Sequence, residues 1–308
     1  MAKKRSYDVV IIGGGPAGLT AGIYTARARL SSLLIEKAII GGQITNAEQV
    51  ENFPGFTEGI GGMELTQLMH QQATKFGLET ITAGATGLKL KGDKKIVKTD
   101  DGDFTARSVI IAGGSKAQLL GVPGEEEFTG KGVSYCATCD APFFSEQATA
   151  IVGGSDVALT DALHLAQFAS KVFVIHRRDQ LRATAILQER AFAEPKIEFL
   201  WDTVVENIEG DVFVTKLNVK NVKTEEKTTL DLAGVFIAIG YKPDTDYLKG
   251  IVPLDAAGHI IANEKMETEI PGVYAAGDIR LDSARQAITA AGDGATAAVY
   301  AHKYLTEQ

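Results

Sequence analysis

The stretch YDVVIIGGGPAG, residues 7–18, decides the fold of this chain. Its first half is a short run of mostly β-branched apolar residues, which is typical of a buried parallel strand. Its second half has the spacing G-x-G-x-x-G, and a helical pattern follows to about residue 29. A strand, a glycine turn and a helix in this order predict a dinucleotide-binding unit. The residues expected to face the dinucleotide are Gly13, Gly15, Pro16, Ala17 and Gly18.

The same pattern recurs further along the chain. An apolar run at residues 148–152 leads into a second glycine turn and then a helical stretch to about residue 170. In both copies another apolar run follows the helix, so each copy reads strand, turn, helix, strand and predicts its own dinucleotide site. The alternative for the second copy is a tight turn that binds nothing. The residues of this second turn are Gly153, Gly154, Ser155 and Asp156.

The residues after the second strand of each copy differ in charge. Glu36 ends the first copy, and its carboxylate can bind an unphosphorylated ribose and would repel a 2′-phosphate. The second copy ends in His176, Arg177 and Arg178, with Arg182 one turn later, and arginine binds phosphate in a bidentate manner. We therefore expect FAD at the first copy and NADP at the second. The alternative for the arginines is a solvated basic surface.

Two further strand ends favour a flavin. One apolar run ends in Gly113, and another ends in Asp278, whose carboxylate suits the hydroxyl groups of a ribityl chain or a ribose. Asp278 alone is also an ordinary turn residue. A helix then begins whose positive N-terminus can face the electron-rich end of a reduced flavin. Its first residues are Arg285, Gln286 and Ala287.

Composition and charge argue against several classes of protein. The chain has 308 residues, of which 45% are hydrophobic and 23% charged, as in a soluble protein of two domains. Its net charge of -8 argues against a nucleic-acid partner, because phosphate binding needs clustered cations. No apolar stretch approaches the roughly 20 residues of a membrane span. We expect a cytoplasmic protein with neither a nucleic-acid nor a membrane partner.

The chain contains two cysteines, Cys136 and Cys139, which are three positions apart. A structural zinc site usually needs four ligands, and the sequence has no second pair of cysteines, so we expect no metal. In a reducing compartment such a pair indicates a redox couple rather than a structural disulfide.

Together these motifs resemble those of the low-molecular-weight thioredoxin reductases of bacteria and archaea, over essentially the whole chain. The most specific motif is Cys-Ala-Thr-Cys-Asp at residues 136–140. Further matching segments lie at residues 41–43, 51–55, 176–179, 277–278 and 285–287. The resemblance adds Gly42, Gln43 and Asn52 to the expected FAD site.

The resemblance implies an α/β fold of two Rossmann-like, three-layer dinucleotide-binding domains, with one domain inserted into the other. The discontinuous FAD domain would comprise residues 1–116 and 246–308. The NAD(P) domain, which carries the cysteine pair, would comprise residues 117–245. The resemblance also implies a homodimer whose two domains rotate relative to each other.

The resemblance further implies a path for the electrons. Hydride passes from NADPH to FAD, and a disulfide between Cys136 and Cys139 is then reduced. Cys139 is the sulfur nearer the flavin, and Cys136 attacks oxidised thioredoxin. Asp140 resembles the acid that protonates the leaving thiolate. The alternative for Asp140 is a helix cap near Pro142.

Three departures from the family pattern leave alternatives open. Ser155 stands where the pyrophosphate should approach most closely, Thr160 and Asp161 replace a pair of acids, and Gly113 replaces a threonine. NADH or a non-nicotinamide donor therefore stays open beside NADPH. Two other functions also stay open: a related flavin-dependent oxidoreductase acting on another small dithiol, and an FAD-binding redox sensor without catalytic activity.

Overall fold

The computed structural model describes residues 5–47 and 49–307, without the side chains of Asn46 and Cys139. The chain divides into two compact units. The discontinuous unit comprises the residues up to Lys116 and from Lys242 onward, and the inserted unit comprises Ala117–Tyr241. The second expected boundary was 245/246. Asp244 lies in the discontinuous unit, where its backbone N–H donates to the carbonyl of Gly114 and its side chain pairs with Lys37.

The discontinuous unit begins with a strand, a glycine turn, a helix and a strand. A short 3-10 helix at Gly42–Asn46 follows β2. The elements are β1 (Ser6–Ile12), α1 (Pro16–Arg27), β2 (Ser32–Glu36), α2 (Gly62–Lys75), β3 (Glu79–Thr82), β4 (Ala85–Lys91), β5 (Lys94–Thr99), β6 (Phe104–Ile111) and β7 (Ser115–Ala117).

The inserted unit repeats this order around its own sheet. A 3-10 helix at Ala141–Phe144 follows α3. The elements are β8 (Val133–Ser134), α3 (Ala137–Asp140), β9 (Ala148–Val152), α4 (Asp156–Phe168), β10 (Lys171–Ile175), α5 (Ala185–Ala193), β11 (Ile197–Leu200), β12 (Thr203–Gly210), β13 (Val214–Asn221), β14 (Lys227–Asp231) and β15 (Gly234–Ile237).

The C-terminal segment completes the discontinuous unit. Two 3-10 helices, Asp246–Leu248 and Gly277–Ile279, lie between its regular elements. Those elements are β16 (Tyr241–Pro243), β17 (Val273–Ala275) and α6 (Ala287–Thr306). The short strands β7 and β16 pair with each other in a two-stranded sheet.

The inserted unit is built on a parallel sheet, and the discontinuous unit on a mixed sheet in which β5 pairs antiparallel with both β4 and β6. The discontinuous unit has the strand order β3-β2-β1-β6-β5-β4, with β17 also paired to β6. The inserted unit has the order β11-β10-β9-β15-β8, and a separate antiparallel sheet β12-β13-β14. Parallel strands that are covered on both faces need apolar side chains in succession, which explains the uninterrupted runs in β1 and β9. Val9, Val10 and Ile11 are fully buried.

Apolar clusters cover both faces of the larger sheet. One cluster joins the sheet to α1, α2 and α6, and the other joins it to the segment around Leu248 and Val252. The carboxyl ends of β1, β2 and β6 remain at one edge, where dinucleotides bind in open parallel sheets. Among the helices within residues 5–47 and 49–307, none combines the length and apolar character needed to cross a membrane.

Candidate functional site

The first glycine turn is fixed by contacts with both neighbouring strands. The backbone N–H of Gly13 donates to the carbonyl of Ile35, at 2.8 Å. Gly13 has a φ of +108°, and a Cβ built there would lie 2.2 Å from the carbonyl oxygen of Ala112. Both facts require glycine at this position. The turn after β1 is thereby held against the end of β6.

Glu36 contacts this turn directly. Its Oε2 accepts a hydrogen bond from the N–H of Gly14 at 2.7 Å, and its Oε1 accepts one from Ala38 at 3.0 Å. These two bonds hold the carboxylate at the end of β2, where a ribose would lie. The structure therefore brings Glu36 and the first turn together, as the sequence predicts.

Gly15 leaves the space in front of α1 open. It precedes the helix, and Pro16 at the first helical position has no N–H that would need a partner. A Cβ built at Gly15 would meet its nearest neighbours, the backbones of Gly41 and Gly42, at 3.9 Å. The loop at residues 41–43 lies beside this space, and the side-chain amide of Gln43 donates to the carbonyl of Ser115 at 2.5 Å. A pyrophosphate fits at such a helix N-terminus.

The turn after β17 is held by a buried ion pair. Arg280 binds both carboxylate oxygens of Asp293, at 2.6 and 3.0 Å, and one of these oxygens also accepts the N–H of Gly277. Burial raises the pKa of the neighbouring Asp278, and its carboxylate accepts a hydrogen bond from Ser283. The sequence analysis missed Arg280 and Asp293. The signal was the single acid within α6.

Helix α6 brings the remaining predicted FAD residues to the same edge. The side-chain amide of Asn52 donates to Oε1 of Gln286 at 3.0 Å, which joins two segments far apart in sequence. A Cβ built at Gly294 would lie 2.0 Å from the carbonyl oxygen of Ala17, so the two helices pack at backbone distance. Arg285 precedes this helix with a left-handed backbone, at a φ of 55°.

The second glycine turn has the same backbone contacts. The N–H of Gly153 donates to the carbonyl of Ile175 at 3.0 Å, and the N–H of Arg182 donates to the carbonyl of Gly154 at 2.8 Å. Asp156 accepts a hydrogen bond from the N–H of Thr184 at 2.5 Å. The segment after β10 thus folds back over the turn.

His176 and the arginines take different positions in this segment. His176 is 5% exposed, and its Nε2 lies 2.9 Å from the carbonyl oxygen of Gln180. Burial lowers the pKa of His176, and the nearby arginines lower it further. Arg177, Arg178 and Arg182 are exposed. The histidine therefore supports the segment as a neutral ring, whereas the arginines are accessible to a phosphate.

Two departures from the family pattern lie at the start of α4 or within it. Ser155 precedes the helix, and within the described part of the chain its side chain makes no capping hydrogen bond. Thr160 is exposed. Burial raises the pKa of Asp161 to about 7. Burial also raises the pKa of Tyr241, and the charge of Asp161 raises it further. Asp161 therefore carries a proton for part of the time near neutral pH.

The redox segment is a short helix held by local bonds. Cys136 is disulfide-bonded and half-buried. Its N–H donates to Oγ of Ser134 at 3.0 Å, and its carbonyl accepts the N–H of Asp140 at 3.2 Å. Among the described atoms, the Asp140 carboxylate makes no capping hydrogen bond. The predicted role of Cys139 concerns a side chain outside the described part of the structure.

A buried carboxylate that the sequence analysis missed supports this segment. Glu125 is 4% exposed and accepts hydrogen bonds from the N–H groups of Leu120 and Gly121, at 2.8 and 2.6 Å. It also accepts the hydroxyl of Tyr135 at 2.8 Å. Burial and this bond raise the pKa of Tyr135 to about 12. Glu125 therefore ties the start of the inserted unit to the residue before Cys136.

Comparison with known proteins places this geometry in a family. The family model described as pyridine nucleotide-disulphide oxidoreductase matches residues 7–294. The chain belongs to the pyridine nucleotide-disulphide oxidoreductase family. This membership explains why two glycine turns and a cysteine pair occur in one chain.

Relatives within the pyridine nucleotide-disulphide oxidoreductase family match almost end to end. A thioredoxin reductase of Peptoclostridium acidaminophilum is 46% identical over 305 residues, which are 97% of each chain. One of Bacillus subtilis is 45% identical over 308 residues, covering 100% of this chain and 97% of the relative. The crystal structure of thioredoxin reductase from Lactococcus lactis is 45% identical, with a TM-score of 0.95, and the match covers 98% of this chain and 100% of that one. These matches confirm the resemblance and the predicted α/β fold with two Rossmann-like units.

Proposed function

We propose that the chain is an FAD-dependent thioredoxin reductase that uses NADPH. In the overall reaction NADPH and one proton are consumed, the disulfide of thioredoxin becomes two thiols, and NADP⁺ is released. The observation that carries the proposal is the disulfide-bonded Cys136 in the same unit as the second glycine turn. An electron carrier without a disulfide substrate would not need it. The relatives named thioredoxin reductase support the substrate.

FAD is assigned to the discontinuous unit because its residues fit that dinucleotide. Gly15 leaves room for a pyrophosphate at the N-terminus of α1, and Glu36 presents a fixed carboxylate to a ribose. At the other end of the edge, Asp278 and the start of α6 suit the ribityl chain and the flavin. The remaining members of the proposed site are Gly13, Pro16, Ala17, Gly18, Gly42, Gln43, Asn52, Gly113, Arg285, Gln286 and Ala287.

NADPH is assigned to the inserted unit because of its exposed arginines. A guanidinium group binds a phosphate in a bidentate manner, and three such groups follow β10. The N–H of Arg182 is bonded to Gly154, so its side chain starts beside the second turn. NADH lacks the 2′-phosphate that these arginines would bind. The second turn would accept the pyrophosphate beside Gly153, Gly154, Ser155 and Asp156.

The chemistry that bound FAD supplies is the acceptance of a hydride and the release of an electron pair. The chain's own residues perform the exchange with thioredoxin. The thiolate of Cys136 attacks one sulfur of the substrate disulfide, forms a mixed disulfide and expels a thiolate. Cys139 then attacks Cys136 and releases the second substrate sulfur. Asp140, whose N–H is bonded to the carbonyl of Cys136, provides a proton to a leaving thiolate.

Anaerobic mixing of the purified yellow protein with each nucleotide tests the donor. We expect NADPH to bleach the flavin absorbance rapidly and NADH to do so far more slowly. If dithionite bleached the flavin and neither nucleotide did, the assignment of the second turn would be wrong. The donor would then be a ferredoxin or another flavin.

The substitution Cys136→Ser tests the disulfide step and the substrate separately. The variant should keep flavin reduction by NADPH and lose turnover of thioredoxin. Wild-type protein should turn over thioredoxin faster than small-molecule disulfides. Absence of steady turnover with every disulfide would favour the redox-sensor function. The homodimer and the cytoplasmic location stay predictions.

A further inference from the structure

The hydroxyl of Tyr247 is buried, and within the described part of the structure it has no hydrogen-bond partner. Tyr274, a buried residue of the same unit, provides a contrast: its hydroxyl donates a hydrogen bond to the carbonyl of Tyr300 at 3.0 Å. A buried polar group without a partner destabilises a fold, and native proteins rarely contain one without a reason. The Tyr247 hydroxyl therefore indicates a bond that forms in another state of the protein.

The position of this hydroxyl points to the dinucleotide edge. A Cβ built at Gly113 would lie 3.8 Å from the hydroxyl oxygen and 3.4 Å from Cδ1 of Ile279. Gly113 follows Ala112, whose carbonyl oxygen abuts Gly13 of the first glycine turn. The hydroxyl thus lies next to the turn that ends β6.

The charges around Tyr247 indicate which half of FAD it would contact. Asp244 binds Lys37 at 2.5 Å and Lys116 at 3.3 Å, and Lys37 directly follows the ribose-binding candidate Glu36. Burial and the negative charge of Asp244 raise the pKa of Tyr247, so its hydroxyl keeps its proton and can donate. A neutral donor near Asp244, which binds the residue that follows Glu36, suits the adenosine half.

We infer that Tyr247 is a further positioning residue of the FAD site. Its hydroxyl donates a hydrogen bond to an acceptor in the adenosine half of FAD, and this bond forms only when FAD is bound. Gly113 is part of the same arrangement, because a Cβ there would lie 3.8 Å from the hydroxyl oxygen. The inference rests on the proposed function, since it assumes that the first turn holds FAD.

The full-length variant Tyr247→Phe tests this bond. Removing a hydroxyl that has no partner should leave the thermal midpoint of FAD-free protein unchanged or slightly higher. With saturating FAD the variant should unfold at a lower temperature than wild type. The Kd for FAD, from quenching of flavin fluorescence, should rise about five- to tenfold, as for one lost hydrogen bond.

The matched control is Tyr274→Phe, which removes a bond made within the protein. This control should lower the thermal midpoint equally with and without FAD, and should leave the Kd for FAD unchanged. An unchanged Kd in Tyr247→Phe, or equal destabilisation with and without FAD, would overturn the inference. If wild-type protein itself bound no FAD, the proposed function would fail instead, whatever the variant did.

Discussion

The two glycine turns share one backbone arrangement and differ in what covers it. In both, the first glycine donates to the end of the second strand, Ile35 or Ile175. In both, the carbonyl of the middle glycine accepts an N–H from a later loop residue, Gly41 in the first turn and Arg182 in the second. The backbone alone therefore does not distinguish the nucleotides.

The side chain over the middle glycine is different in the two turns. Glu36 accepts the N–H of Gly14, so the group that would contact the ribose also holds the first turn in place. At the second turn a Cβ built on Gly154 would lie 2.4 Å from Cε1 of His176, a neutral ring that faces the protein. In the proposed function, the choice of nucleotide at this turn is assigned to the exposed arginines. At the first site, one residue, Glu36, both stabilises the turn and would select the nucleotide. At the second site these two tasks are assigned to different residues, His176 and the arginines.

Substitution of the first glycine in each turn should give the largest effects. Although the two turns share one backbone arrangement, each substitution should impair a different nucleotide. A Cβ at Gly13 would lie 2.2 Å from Ala112, and one at Gly153 would lie 2.4 Å from Ala238. We expect Gly13→Ala to yield colourless protein without FAD. Gly153→Ala should stay yellow and lose reduction by NADPH, while dithionite still reduces it. The ratio of flavin to protein absorbance and anaerobic titration check both outcomes, and loss of FAD from both variants alike would contradict the assignment.

Removal of the arginines should sharpen the comparison without disturbing either turn. Arg177→Ala combined with Arg178→Ala should raise the KM for NADPH about 100-fold, because each lost charge-assisted bond costs about 1.5–3 kcal/mol. The KM for NADH should change little. Arg190→Ala, an exposed arginine on α5, is the control. Steady-state kinetics with both nucleotides checks the result, and equal changes for NADPH and NADH would refute the 2′-phosphate site.

The neutral ring of His176, which packs against Gly154 of the second turn, predicts an effect of intermediate size on the pH dependence of stability. Because the pKa of His176 is lowered in the folded state, the unfolded chain binds more protons below about pH 6.5. Stability should therefore fall as the pH drops below that value, and the effect should disappear above it. His176→Gln should flatten this part of the curve of thermal midpoint against pH. Parallel curves for wild type and variant would show that His176 does not titrate differently on unfolding.

The smallest effect is expected at the third position of the turns, where the first turn has Gly15 and the second has Ser155. Ser155→Gly makes the second turn identical in composition to Gly13, Gly14 and Gly15. The side chain of Ser155 is not used for capping in the described structure, so its removal should cost little stability. We expect the KM for NADPH to change by no more than about two- to threefold. A decrease of more than tenfold in the KM for NADPH would show that the side chain of Ser155 obstructs the pyrophosphate.

Features that depend on local pattern were predictable from the sequence. The apolar runs before each glycine turn became β1 and β9, and the charge difference after the second strand of each copy is the basis for proposing Glu36 and the arginines as nucleotide contacts. These features follow from strand burial and from ribose and phosphate chemistry. They needed no knowledge of how distant segments meet.

Features that depend on distant segments were not predictable. Glu125 gained its role from Tyr135 and from two backbone N–H groups, and Asp293 gained its role from Arg280. The sequence placed His176 beside a phosphate because it precedes arginines, yet folding turns its ring toward Gly154. Neither the spacing nor the composition of the sequence determines these side-chain contacts, because they depend on how the helices, strands and loops pack together.

The contact between Ala17 and Gly294 has a consequence for synthesis of the protein. It joins α1 to α6, so the FAD cradle needs segments from both sides of the inserted unit. The inserted unit is continuous in sequence and can fold while translation proceeds, since domains fold as units from the N-terminus. Cofactor loading should therefore wait until α6 has been synthesised, and a chain truncated before α6 should contain a folded inserted unit and no flavin.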